Sequence, residues 1–250
     1  MKTEAGKLVW VEHASADPVK ARAFYEGLFG WNDSPMDVAG STYHVIMNAG
    51  EGIGGFRSAQ EGEPTNWGIY LSVADVDASH KKATGAGAKT CMPPTDFPPV
   101  GRGATMIDPV GAMFSIWRST IDDKPDADVP PGHWCWHELH ASDAEKALSF
   151  YEGLFGLKHD AMPSPGGTYY VLKQGESERR GGLMKSHDGG PSSMWLPYVY
   201  VTDVDATTAK ARKLGAEVCV QPTDIPNIGR FAVLSDPQGA SFAVFLPLRQ

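Results

Sequence analysis

Positive charge is scarce in this 250-residue chain: 22 lysines and arginines stand against 30 aspartates and glutamates, a formal net charge of −8. No Lys/Arg-rich run offsets that deficit, and phosphate binding needs a basic face, so nucleic acid is excluded as a partner. Long apolar runs are missing too. No stretch approaches the ~18 residues of a membrane helix, and the opening Met1-Lys-Thr-Glu-Ala-Gly-Lys-Leu8 lacks the apolar segment of a signal peptide. The expectation is a soluble, cytoplasmic protein with no membrane partner. Cysteine is sparse: Cys91, Cys135 and Cys219 show no Cys-x-x-Cys spacing, which argues against a disulfide framework and a zinc knuckle. They are expected to be small core residues. With 42% hydrophobic and 21% charged residues a packed core is available and disorder is excluded. At ~150 residues per domain, the length fits two domains.

The chain is one unit written twice. Phe24-Tyr-Glu-Gly-Leu-Phe-Gly30 recurs identically at Phe150 to Gly156. Asp75-Val-Asp-Ala78 recurs at Asp203 to Ala206, Pro94-Thr-Asp96 at Pro222 to Asp224, and Gly101-Arg102 at Gly229-Arg230. Asp108-Pro-x-Gly-Ala-x-Phe114 recurs at Asp236 to Phe242. Five blocks in the same order mean a duplicated domain. The reading places one copy over residues 1–120, a polar, proline-containing linker over 121–132, and the second copy over 133–250.

Local patterns give the elements. Leu8 to His13 reads as a strand; Asp17-Pro18 then supplies an N-cap with proline at the first helical position. Ala21, Phe24, Tyr25 and Leu28 form one apolar helix face, and Gly30 ends it. The second copy repeats this with Ala147, Phe150, Tyr151, Leu154 and Gly156, and Ser142 with Glu145 has capping-box spacing. Strands follow at 43–47 and 169–172. A second half then starts in each copy: a strand (67–73 or 195–201), a short helix from near Asp77 or Asp205, and a hairpin turning at Asp-Pro-x-Gly. Four βαβββ units result, an α+β arrangement of curved mixed sheets with outer helices and a cup on the other face.

The ordered motifs Asp-x-x-x-Ala-x-x-Phe-Tyr-x-x-Leu-Phe-Gly, Asp-Val-Asp and Asp-Pro-x-Gly-Ala-x-Phe resemble the vicinal oxygen chelate superfamily, the glyoxalase, bleomycin-resistance and extradiol dioxygenase group. The stretch from Pro222 to Gly239 is similar to tandem glyoxalase-like proteins of actinobacteria labelled hydroxylases. The resemblance implies tandem glyoxalase-like domains, and in the metal-dependent members it implies four ligand positions on strands. Those positions fall on Trp10 and Trp136, Gly55 and Gly182, Gly68 and Leu196, and Ser115 and Ala243. None carries a His, Glu, Asp or Cys donor, so no metal and no other cofactor is expected.

Strand alternation puts Trp10 with Glu12 on one face, and Trp136, Glu138 and His140 on its equivalent. An aromatic floor beside a carboxylate can cage a cationic or hydrogen-bonding aromatic molecule. The competing reading makes the tryptophans core and has each glutamate paired with an arginine or capped by backbone. Arg102 and Arg230 could clamp an anion at the sheet mouth, or fasten a loop through Asp96 and Asp224. The run His133-Trp-Cys-Trp-His-Glu-Leu-His140 is dense in donors, but alternation splits them between faces, too few converging for a metal. The expected function is therefore metal-free binding of a small molecule, with Trp10, Glu12, Trp136, Glu138, His140, Arg102 and Arg230 as ligand-binding candidates. The alternative is a lyase or oxygenase with a noncanonical metal or a glutamate acid–base. The expected state is a monomer with an internal pseudo-dimer, or a homodimer.

Overall fold

The computed structural model describes residues 2–186 and 193–248. Each copy folds into its own eight-stranded mixed sheet. The first copy runs β1 (Leu8–Ser15), α1 (Pro18–Phe29), β2 (Asn32–Val38), β3 (Ser41–Asn48), β4 (Glu51–Ser58), then β5 (Asn66–Ser72), α2 (Val76–Gly85), β6 (Lys89–Phe97), β7 (Gly101–Ile107) and β8 (Met113–Ser119). The second runs β9 (Trp134–Ala141), α3 (Ala144–Phe155), β10 (Lys158–Ser164), β11 (Gly167–Gln174), β12 (Glu178–Lys185), β13 (Met194–Tyr200), α4 (Val204–Lys213), β14 (Glu217–Ile225), β15 (Gly229–Ser235) and β16 (Ser241–Pro247). The strand orders are β2-β3-β4-β1-β5-β8-β7-β6 and β10-β11-β12-β9-β13-β16-β15-β14. The two βαβββ units of a copy join where β1 meets β5, or β9 meets β13, antiparallel. Each curled sheet is thus a half-barrel with its cup at that seam.

The caps are local chemistry. Asp17, Asp75, Asp143 and Asp203 each accept a backbone N–H of the first turn. Gly30 and Gly156 end α1 and α3 in the left-handed conformation, with φ of 74° and 70°, which a side chain would resist. The capping box expected from Ser142 and Glu145 does not form: Asp143 is the cap, Ser142 donates to the Val110 carbonyl, and the Glu145 carboxylate accepts from the Tyr170 hydroxyl. Asp143 wins because it stands one residue nearer the helix.

The cysteines also correct the sequence reading. Cys91 and Cys219 are exposed, and only Cys135 is partly buried. The first two lie on β6 and β14, the last strands of their sheets, where no neighbouring strand covers them.

The two copies share their cores. One apolar cluster joins the second unit of copy one (Ile69, Phe114, Ile116) to the first unit of copy two (Leu139, Phe150, Leu183); another joins the first unit of copy one (Val11, Phe24, Ile46) to the second of copy two (Val199, Phe242, Val244). At about 1.5–3 kcal/mol for each large apolar side chain buried, these clusters bind the copies together. The repeated motifs meet across the same boundary. Tyr25, from one Phe-Tyr block, donates to Asp236 of the other copy's Asp-Pro-x-Gly at 3.0 Å, and Tyr151 donates to Asp108 at 2.9 Å. Trp67 and Trp195 donate to those tyrosine hydroxyls. Residues 121–132, between the sheets, are tied down: Asp123 accepts from Ser72 and the Glu4 amide, and Asp126 pairs with Lys7 and the buried Arg180.

Candidate functional site

The seam of each cup carries four side chains that occur in both copies. In copy one, Trp10 and Glu12 project from β1. The register sets Gly55 of β4 and Gly68 of β5 beside Glu12, and Tyr70 beside both Trp10 and Ser115 of β8. Trp10 donates its indole N–H to the Tyr43 hydroxyl at 2.9 Å, and Tyr43 donates to Glu12 Oε1 at 2.8 Å. Tyr70 donates to Glu12 Oε2 at 2.8 Å. Copy two repeats the arrangement: Trp136 donates to Tyr169 at 2.9 Å, and Tyr198 donates to Glu138 Oε1 at 3.2 Å. Glu12 and Glu138 are 7% and 6% exposed, deep enough that each needs its donors. Burial first, and the neighbouring glutamate second, push the hydroxyls of Tyr43, Tyr70, Tyr169 and Tyr198 well above the ordinary tyrosine range. At neutral pH all four remain donors.

The glycines in the family's second ligand position have a steric purpose. A Cβ on Gly55 would overlap the Tyr43 hydroxyl, and one on Gly182 would overlap the Tyr169 hydroxyl. The phenol thus occupies the space a ligand side chain would need. A divalent ion does not fit this donor set: the four family positions offer indole, glycine, leucine, alanine and one serine, and each cup contributes a single carboxylate already holding several donors. Among the described residues no group of three or more His, Cys, Asp and Glu side chains converges.

The cups differ in the third donor to the carboxylate. In copy one, Arg57 of β4 reaches across Ala14 to Glu12 Oε2 at 2.6 Å, and its other nitrogens grip Glu63 at 2.6 and 2.7 Å. Burial of Arg57 works against its charge, but Glu63 and Glu12 more than compensate and hold it protonated. In copy two, Met184 stands at the position of Arg57 and His140 at that of Ala14; His140 Nε2 lies 2.7 Å from Glu138 Oε1. The surrounding faces differ as well. Copy one presents Gly68, Gly103, Thr105, Ser115 and Trp117, where copy two presents Leu196, Phe231, Val233, Ala243 and Phe245. The second face forms an apolar cluster around Tyr198 and Trp136.

The structure thus brings Trp10 to Glu12, and Trp136 to Glu138 and His140. It does not bring Arg102 or Arg230 to them. Arg102 makes a two-nitrogen pair with Asp77 at 2.9 Å and bonds Asp96 at 2.8 Å; Arg230 does the same with Asp205 and Asp224. His133 and His137 also lie apart. His133 bonds Asn48, whereas His137 is buried beside Trp195, which drops its pKa to about 4. Cys135 is a half-buried thiol pushed up by burial to about 12, which leaves it unreactive. Sequence reasoning missed Tyr43, Tyr70, Tyr169, Tyr198 and Arg57. The tyrosines carried a signal, recurring at the same offsets as the repeated blocks. Arg57 carried none, because Met184 replaces it.

Two family models match the chain: "Glyoxalase-like domain" over residues 10–117 and "Glyoxalase/Bleomycin resistance protein/Dioxygenase superfamily" over residues 136–244. The chain is 38% identical over 248 residues to "Putative glyoxylase CFP32" of Mycobacterium tuberculosis, covering 96% of this chain and 95% of that protein. It is 31% identical over 255 residues to "Anthracycline biosynthesis protein DnrV" of Streptomyces peucetius, covering 96% and 92%. In fold it resembles the Mn(II)-bound glyoxalase from Novosphingobium aromaticivorans, with TM-score 0.68, 17% identity and coverage of 99% and 84%. It also resembles the 2,3-dioxygenase LapB from Pseudomonas sp. KL28, with TM-score 0.67, 12% identity and coverage of 100% and 94%. On the relatives' identity and coverage, and on a repeat that each half matches separately, the chain belongs to the glyoxalase/bleomycin resistance protein/dioxygenase superfamily.

Proposed function

We propose that the protein binds a hydroxylated aromatic small molecule in its cups without a divalent metal. The observation that carries this reading is the Trp–Tyr–Glu–Tyr quartet built twice, each beside a glycine at which any Cβ would overlap a tyrosine hydroxyl. Rigid aromatic walls beside a small number of fixed polar groups are the ordinary makeup of a small-molecule site. A cationic ligand has less support than an aromatic one, since Arg57 already meets Glu12 and His140 already meets Glu138. Similarity to a protein named for anthracycline biosynthesis supports the aromatic choice. Arg102 and Arg230 have no part in it, their donors being engaged by aspartates.

Titrating the full chain with naphthol and with quinizarin, followed by tryptophan fluorescence and calorimetry, tests the reading. Saturable binding is expected, weakened about five- to tenfold by Tyr169→Phe if the hydroxyl relay to Glu138 fixes the site, a change of about 1–1.5 kcal/mol. Absence of saturable binding by either compound contradicts it.

A further inference from the structure

In copy two the carboxylate fixes the chemistry of a histidine. Glu138 accepts from Tyr198, and its Oε1 lies 2.7 Å from His140 Nε2. A carboxylate has no hydrogen to give, so Nε2 carries the hydrogen and, in the neutral ring, Nδ1 is left with a bare lone pair. No described residue bonds that Nδ1, and the side chain is 25% exposed at the end of the seam. The register places Met184 of β12 and Met194 of β13 on either side of it. Both are uncharged and adaptable. The titratable groups gathered around the Glu138 carboxylate are His140 on its own strand, Tyr198 from the adjacent β13 and Tyr169 from β11, beyond β12. Along the same face toward β16 lie Trp136, Leu196, Ala243 and Phe245.

This is a proton acceptor at the lip of an aromatic wall, held by a carboxylate. Copy one cannot offer the same. Its third donor is Arg57, which has no acceptor nitrogen and does not give up its proton, and the place of His140 is taken by Ala14.

Resting on the aromatic-ligand reading above, we propose that the copy-two cup is the proton-accepting site of the molecule: it takes phenol-class ligands and binds them as phenolates, His140 accepting the proton and Glu138 positioning it. The phenolic O–H bond breaks and an Nδ1–H bond forms. The resulting imidazolium keeps its Nε2–H on the Glu138 carboxylate, and the phenolate oxygen stays paired with the new Nδ1–H. No electron leaves either partner, and no co-reactant is needed. The ligand's ring then lies against the partly exposed Trp136 and Phe245, Leu196 and Ala243 being already buried, with its hydroxyl at the histidine.

Two chromophoric phenols, para-nitrophenol and quinizarin, read the proton directly, since each absorbs at longer wavelength when ionised. Bound to the full chain, they are expected to ionise about 1–3 pH units lower than when free, as a group does beside an opposite charge. His140→Gln keeps a side chain of similar length that cannot take a proton. It is expected to weaken both probes about tenfold or more and to return their ionisation to the pH at which the free probes ionise, with an unchanged far-ultraviolet circular dichroism spectrum. Glu138→Gln is expected to return about one unit of the shift. Probes that bind the wild type without ionising, or that ionise equally in His140→Gln, overturn the proton transfer and leave the binding function standing. If neither probe binds the wild type, both fail together.

Discussion

The two cups of this molecule hold the same carboxylate between the same two tyrosines and beside the same tryptophan, yet they end in different chemistry. In copy one the third partner is an arginine locked to Glu63; in copy two it is a histidine with one nitrogen bare. The third donor has moved from one strand to its neighbour, Met184 standing at the place of Arg57 and His140 at that of Ala14, and the carboxylate stays supplied in both places. What differs is what remains for a ligand: a closed ion network in one cup, a proton acceptor on an apolar wall in the other. Duplication has kept the Trp–Tyr–Glu–Tyr quartet and let the side chains around it diverge.

The junction between the copies shows the same kind of divergence in its buried aspartates. Asp236 accepts from Tyr25 and lies 2.8 Å from His13 Nε2, whereas Asp108 accepts from Tyr151 and has only Leu139 at the place of His13. Burial works against ionisation at both. At Asp236 the hydrogen bond and charge of His13 outweigh it, so its pKa is lowered; at Asp108 burial prevails and the pKa is raised.

The largest effect is expected from making the two junctions alike. His13→Leu leaves the Asp236 carboxylate buried without its histidine and should cost about 3–5 kcal/mol in urea denaturation at neutral pH, the range for breaking a buried charged pair. Because Asp236 has a folded-state pKa below its ordinary 3.8, the stability it supplies is present above that value and lost as the pH falls through the folded value. The gap between wild type and His13→Leu should therefore narrow in acid. An intermediate effect is expected in the cups. Gly55→Ala or Gly182→Ala forces a tyrosine hydroxyl out of its place and should cost about 1–3 kcal/mol. Gly55→Ala made in a Tyr43→Ala background should cost far less, a coupling that a double-mutant cycle measures. The smallest effect is expected at the junction without histidine. Asp108→Asn should cost about 1 kcal/mol at neutral pH. Asp108 has a raised folded-state pKa, so its contribution is greatest below 3.8 and declines as the pH rises through the folded value. The cost of Asp108→Asn should grow in acid, opposite to the trend at His13.

Much of the architecture was legible because the chain states it twice. The Phe-Tyr block announced a helix with a buried face, and the Asp-Pro-x-Gly block announced a hairpin. Their meeting across the copies was not readable, since a repeat gives each motif its place within a copy and says nothing of which copy it touches. Trp10, Glu12, Trp136, Glu138 and His140 could be assigned to one face by alternation alone. The tyrosines that complete the quartets come from other strands, and only the register of β3 on β4 and of β1 on β5 brings Tyr43 and Tyr70 to Glu12. Gly55 and Gly182 read in sequence as missing ligands; in the fold they are the room that a phenol requires. Arg102 and Arg230 sit beside conserved-spacing aspartates, Asp77 and Asp205, whose approach depends on the start of α2 and α4 facing β7 and β15.

The central claim is that tyrosine hydroxyls and glycines fill the cups where the family resemblance implies metal ligands, leaving no divalent-ion site, and metal stoichiometry tests it most directly. The full chain, stripped with chelator, incubated in turn with Mn²⁺, Fe²⁺, Zn²⁺ and Ni²⁺ and then desalted, should retain far less than one equivalent of any of them. One equivalent retained by the wild type and lost in Glu12→Gln or Glu138→Gln would place a metal in a cup and contradict the claim.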